Sequence, residues 1–185
     1  MTLHFADREL HVATPMSRGF SLVETLLATT VFTVALVSIA QLAVLSTRAN
    51  ENAASTTMAS ALAAEKLEQL RALAWTFDPA GAPVSDTSTD TATPGMPSGG
   101  TGLSISPSDS LVRNTAGYCD FLDADGHALG GGSTPPPTTV FVRRWSIEAL
   151  PVVSTDALIL RALVTRIGSR RDDTRLLAIR TRKGG

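Results

Sequence analysis

The sequence predicts an α+β chain. One long N-terminal helix, apolar in its first half, packs through its second half on a small C-terminal antiparallel sheet. Three observations lead there. No residue from Leu26 to Leu45 is charged. The segment that follows is rich in helix formers and repeats apolar residues at spacings of three and four. Beyond a stretch rich in proline, glycine, serine and threonine, short runs alternate apolar and polar residues, as half-buried strands do.

Composition limits the functional classes. With 16 basic and 17 acidic side chains among 185 residues, the chain lacks the basic footprint of a nucleic-acid binder. Aromatic residues are few, which restricts the size of a soluble core. The single cysteine, Cys119, forms no intrachain disulfide and reads as a buried small hydrophobe or a free thiol. The three histidines are His4, His11 and His127, and no GxSxG, HExxH, phosphate-binding loop or cysteine pair accompanies them. Catalysis is not expected, and no cofactor is implied.

About twenty residues of helix rise about 30 Å, the thickness of a bilayer's hydrocarbon core. The run Leu26–Leu45 therefore suffices as a span, although three threonines, Ser38 and Gln41 dilute it. A cleaved secretory signal would have a shorter apolar core and a small-residue cleavage site. A plain anchor leaves Glu24 unexplained, because a carboxylate within a span costs about 2.5–3.5 kcal/mol at its centre and less near its end.

The residues "RGFSLVETLLATTVFTVAL" resemble the N-terminal signal of type IV pilins and type II secretion pseudopilins. The resemblance implies a hydrophilic leader, residues 1–19, cut by a prepilin peptidase between Gly19 and Phe20. It implies N-methylation of Phe20, and makes Glu24 the fifth mature residue, paired during assembly with the N-terminal amine of a neighbouring subunit. Glycine suits the cut, since without a side chain it lets a protease approach the backbone. Glu24 suits the first helical turn, where the dipole favours an anion. Met16 is an alternative start that would shorten the leader to "MSRG".

Residues 20–47 are the membrane half of the helix, and 48–76 the amphipathic half. In the latter Ala59, Ala63, Leu67, Leu70 and Ala74 form one apolar stripe, and Glu68 pairs with Arg71. The helix is expected to reach Trp75 and to be stopped by Asp78-Pro79. "AAEKLEQLRAL" is also similar to the same region of PilV-like minor pilins and of I-type minor pseudopilins.

Residues 77–110 read as a long low-complexity loop without core, and 111–185 as the sheet. A strand pair is expected around the Asp125-Gly126 turn. Asp123 and Asp125 are weak calcium candidates, because the acidic ligand that a full calcium loop requires downstream is missing. His127 reads as a polar residue flanking the turn. Three more strands follow. The first carries Phe141, Trp145 and Ile147 on one face, broken by Arg143. The next carries Leu158, Leu160 and Val164 on one face, and the last is read with Leu177 and Ile179 on opposite faces, after a "GSRRDD" turn. Arg170, Arg171, Arg175, Arg180, Arg182 and Lys183 form the one basic cluster, read as solvated strand faces and a turn rather than a DNA contact.

The C-terminal stretch is similar, more loosely, to that of PilV-type pilus modification proteins. The resemblance as a whole implies a pilin-like fold and a minor pilin of the type IV pilus. A minor pseudopilin of a type II secretion system, or a DNA- or surface-binding module at a pilus tip, remain alternatives. It further implies an inner-membrane protein with one span and a periplasmic C-terminal domain. Its partners would be the prepilin peptidase, other minor and major pilins, and the inner-membrane assembly platform.

Overall fold

A computed structural model describes residues 19–96, 98–150, 156–168 and 173–182. The leader before Gly19, the Met16 alternative and the GSRRDD turn's central residues lie outside them. Among the described residues one long helix, α1 (Leu22–Ala72), precedes seven strands: β1 (Trp75–Phe77), β2 (Pro83–Ser85), β3 (Cys119–Leu122), β4 (Ala128–Gly131), β5 (Phe141–Ala149), β6 (Ala157–Arg166) and β7 (Thr174–Thr181). The chain divides into two compact units, Met1–Thr47 and Arg48–Gly185, and α1 contributes to both.

In the first unit α1 is long and apolar enough to cross a membrane, and its large apolar side chains from Leu22 to Leu45 are exposed. The hydroxyls that dilute the run are satisfied within it. Thr29, Thr30, Thr33 and Ser38 each donate to the carbonyl four residues earlier, at 2.6–3.0 Å. Returned to the backbone, such groups do not oppose an apolar solvent.

In the second unit, strands β4-β3-β5-β6-β7 form one antiparallel sheet. The expected meander is β5-β6-β7, and the β3–β4 hairpin extends it beside β5. The sheet buries Phe141, Trp145, Ile147, Leu158, Leu160, Ala162 and Val164 in one core with Ala59, Leu62, Ala63, Leu67 and Leu70 of α1. On the other face Cys119, Phe121 and Val142 form a smaller cluster. Cys119 is fully buried, and desolvation pushes its thiol up to about 12, as expected of a small hydrophobe.

Four expectations need correction. The helix ends at Ala72, not Trp75, and Ala74 is exposed. The Arg180 guanidinium takes the carbonyls of Leu70 and Leu73, satisfying the helix's terminal acceptors three residues early. Trp75, released from the helix, enters β1 and is buried with the Arg182 guanidinium 3.6 Å from its ring. Next, Leu177 and Ile179 share the exposed face of β7, because residues two apart in a strand point the same way.

The third concerns residues 77–110. They include β2, and Ala92 and Leu103 join the main core. Aspartates replace regular structure by accepting local amides. Asp86 accepts from Ser88, Thr89 and the Thr89 hydroxyl, a set that holds its carboxyl below the usual range, the Thr89 hydroxyl foremost. Glycine makes the close crossings possible. A Cβ at Gly100 would fall 2.2 Å from the Asp90 Cα, and one at Gly102 would fall 2.5 Å from the Asp86 carbonyl oxygen.

The fourth correction is chemical. Arg143 does not interrupt the inward face of β5; it belongs to it. Its guanidinium donates to both oxygens of Asp120, at 3.0 and 2.8 Å, and to the Leu62 carbonyl. Lys66 Nζ lies 2.8 Å from the same carboxylate and 4.2 Å from the centre of the Trp145 ring. One buried carboxylate thus serves two buried cations, with Glu65 reaching Arg143 at 3.3 Å from an exposed position. Desolvation, aided by Arg143, lowers Lys66 to about 8 despite its ion pair.

This has a measurable pH dependence. The folded value for Lys66 is about 8 and the free value 10.5, so between them the unfolded chain binds the extra proton. Stability contributed at Lys66 therefore rises with pH across that window. The buried Cys119 thiol works in the opposite sense, its raised value costing stability above its ordinary 9.0. Comparison with Lys66→Met removes most of the thiol's contribution, since desolvation, not Lys66, is the chief cause of the Cys119 shift. From about pH 8 to about pH 10.5 the native chain should gain stability relative to that variant, measured by denaturant unfolding in micelles. A relative loss would contradict the geometry.

Candidate functional site

The candidate site lies at the start of α1. Gly19 and Phe20 precede the helix and are exposed, Phe20 by 80% of its surface, and no atom lies within 4 Å of where a Gly19 side chain would begin. The Ser21 carbonyl accepts the first helical bond, from the Thr25 amide at 3.1 Å. Glu24 therefore stands in the first turn, where unpaired amides favour a carboxylate. It heads a stripe with Leu27, Ala28, Val31 and Ala35 along one side of the helix. Among the described residues it has no ion-pair partner. The arrangement is an exposed Gly-Phe dipeptide, one carboxylate, and an uncharged helical surface behind it. Such a surface can insert in lipid or pack against other helices, and the carboxylate then requires a cation partner.

The other candidate residues serve the fold. Asp123, Asp125 and His127 each offer a ligand atom within 4.8 Å of the others. Asp123 Oδ1, however, accepts the amides of Asp125 and His127 at 2.9 Å each, and Oδ2 faces His127 Nδ1 at 3.2 Å. The His127 amide, first among these bonds, holds the Asp123 carboxyl below its ordinary range. These are the bonds of a side-chain-closed turn between β3 and β4.

Of the described members of the basic cluster, two make contacts within the fold. Arg180 caps α1, and Arg182 ties together the Thr76 and Val84 carbonyls, the Ser85 hydroxyl and the Asp156 carboxylate. Arg175 is exposed, and Arg170, Arg171 and Lys183 lie outside the described residues. The solvated reading therefore fails for Arg180 and Arg182, which are anchors.

The buried set Lys66, Asp120 and Arg143 was not legible as a unit, since its members lie far apart in sequence. Each nevertheless falls on an inward phase. Lys66 is three residues from Ala63 and four from Leu70, Asp120 is two from Leu122, and Arg143 is two from Phe141 and Trp145. Charges on three core-facing phases were the available signal.

Comparison with known proteins finds no match: no family profile, curated protein or solved structure is significantly similar to this chain.

Proposed function

We propose that the chain is a minor pilin of the type IV pilus, matured by a prepilin peptidase between Gly19 and Phe20 and methylated at Phe20. The observation that carries this reading is Glu24: one carboxylate in the first turn of a helix whose exposed first half, to Thr47, is otherwise uncharged, five residues after an exposed Gly19. The function is assembly rather than catalysis. Held in the inner membrane with its sheet domain in the periplasm, the subunit joins other pilins through the apolar helix. Glu24 meets the new N-terminal amine of a neighbour, so a group that is costly alone becomes paired in the complex.

Mass spectrometry of the chain, from cells with and without the prepilin peptidase, tests the reading. With the peptidase, the mature protein should begin at Phe20 and be heavier by one methyl group. Without it, the leader should remain. A chain that keeps its leader in both strains refutes the proposal.

A further inference from the structure

We propose that the free edge of β7 is a docking site for an extended, acidic and apolar segment of a partner protein, which adds to the sheet as a sixth strand. The inference rests on the second unit alone and is independent of how the N-terminal helix is processed.

The first argument is the hydrogen-bond phase of β7. The Arg182 amide donates to the Asp156 carbonyl at 2.7 Å, and the β6–β7 register continues without a shift from that pair to Val164↔Thr174. In an antiparallel ladder the N–H and C=O of one residue point to the same side, alternating along the strand. Even-numbered residues of β7 therefore bond to β6, and Arg175, Leu177, Ile179 and Thr181 turn theirs outward. No backbone bond to another element engages those four groups among the described residues.

Second, this edge is long and regular. Edge strands are usually protected by brevity, bulges, proline or charged side chains, and the charges on β7 are arginines, Arg175 and Arg180. The opposite edge, β4, is four residues long, ends in Gly130 and Gly131, and meets β3 across a register shift. β7 has eight residues, an unbroken register, and neither proline nor lysine. On its outer face Leu177 and Ile179 are more than half exposed, and Ile159 of β6 lies directly beside Ile179.

The third argument is charge, and it selects the occupant. Between the edge and the last turn of α1 runs a cleft of about 600 Å³ whose lining includes Glu68, Arg71, Leu73, Ile179, Arg180 and Thr181. Burial and the nearby Arg71 lower Arg180 from its ordinary value, as expected where cations crowd together. Arg175 extends the series along the strand. The acids facing this region are Glu68, which pairs with Arg71, and Asp156, which pairs with Arg182; Asp173 precedes the strand. A second copy of the chain would bring another Arg71, Arg175, Arg180 and Arg182 to the same seam. A strand that alternates apolar residues with acids meets both the exposed Leu177–Ile179 pair and the guanidiniums.

The test uses the full chain in detergent micelles and two short amidated peptides. Both alternate valine with a charged residue, glutamate in one and lysine in the other. The glutamate peptide should slow amide hydrogen exchange at Arg175, Leu177, Ile179 and Thr181, and bind about tenfold tighter than the lysine peptide. Leu177→Pro, which removes an outward amide and the Leu177 side chain but no bond to β6, should abolish the effect while β5 and β6 stay protected. If that variant misfolds, Arg175→Glu keeps the test decisive, because it should reduce or reverse the peptide preference. No slowing at millimolar peptide, equal binding of both peptides, or slowing confined to β4 would overturn the proposal. So would protection of the four amides that grows with protein concentration alone, accompanied by a dimer's mass, since the occupant would then be a second copy.

Discussion

Glu24→Ala is expected to leave cleavage at Gly19–Phe20 intact and to reduce incorporation of the subunit into its assembly by a hundredfold or more. The two effects separate because they depend on different surroundings. In the bilayer the carboxylate is a cost, of order 2.5–3.5 kcal/mol at mid-span and less near the end, so alanine should hold the anchor in lipid at least as well. In the assembly proposed above, the same carboxylate would be desolvated against a cation. Removing one member of a buried pair costs about 3–5 kcal/mol, and each 1.4 kcal/mol is about a factor of ten. Glu24→Gln, which keeps shape without charge, should resemble alanine in assembly. Subunit content of purified fibres, compared with the processed pool in the membrane, reads both quantities. Wild-type incorporation of Glu24→Ala would remove the assembly role.

The second large effect is expected at Asp120. Asp120→Ala leaves Lys66 and Arg143 buried, at 1% and 3% exposure, with the carboxylate between them gone. Glu65 is too exposed to compensate, its side chain being 66% accessible. A loss of about 3–5 kcal/mol follows from stranding buried charge. The emission of Trp145, whose ring lies under Lys66, offers the probe for denaturant unfolding of the full chain in micelles. Replacing all three residues together, Lys66→Met with Asp120→Leu and Arg143→Leu, should recover most of the loss, because apolar residues of similar volume need no partner. A single Asp120→Ala variant as stable as the native chain would show that the cations find other acceptors.

What could be read from sequence follows how local its cause is. Gly19, Phe20 and Glu24 lie within six residues, and an uncharged run needs no distant contact to declare itself. The α+β division was equally local, because helical and strand periods are properties of short windows. The helix terminus was not. Ala72 ends α1 because Arg180, more than a hundred residues later, reaches Leu70 and Leu73. Residues 77–110 misled for a related reason. Their composition suggests a segment unable to bury anything, yet Gly100 and Gly102 let the backbone pass close to Asp90 and Asp86, and Ala92 and Leu103 then reach the core. Arg143 looked like an interruption of a strand face because an inward arginine is intelligible only with Asp120 and Lys66 in place. Composition describes what a segment contains, whereas packing depends on what arrives beside it.

The hydroxyls of Thr29, Thr30, Thr33 and Ser38 have one more consequence. Each is already bonded to its own helix, so these four hydroxyls bring no unfilled donor to lipid and ask for none from a neighbouring helix. Passage from a fluid bilayer to the interior of a fibre would then exchange their neighbours without exchanging their hydrogen bonds. In the assembly proposed above, these side chains would be nearly indifferent to the medium, and direction would come from shape and from Glu24. A sliding part with a single latch can be withdrawn from storage at low cost and still seat in only one register.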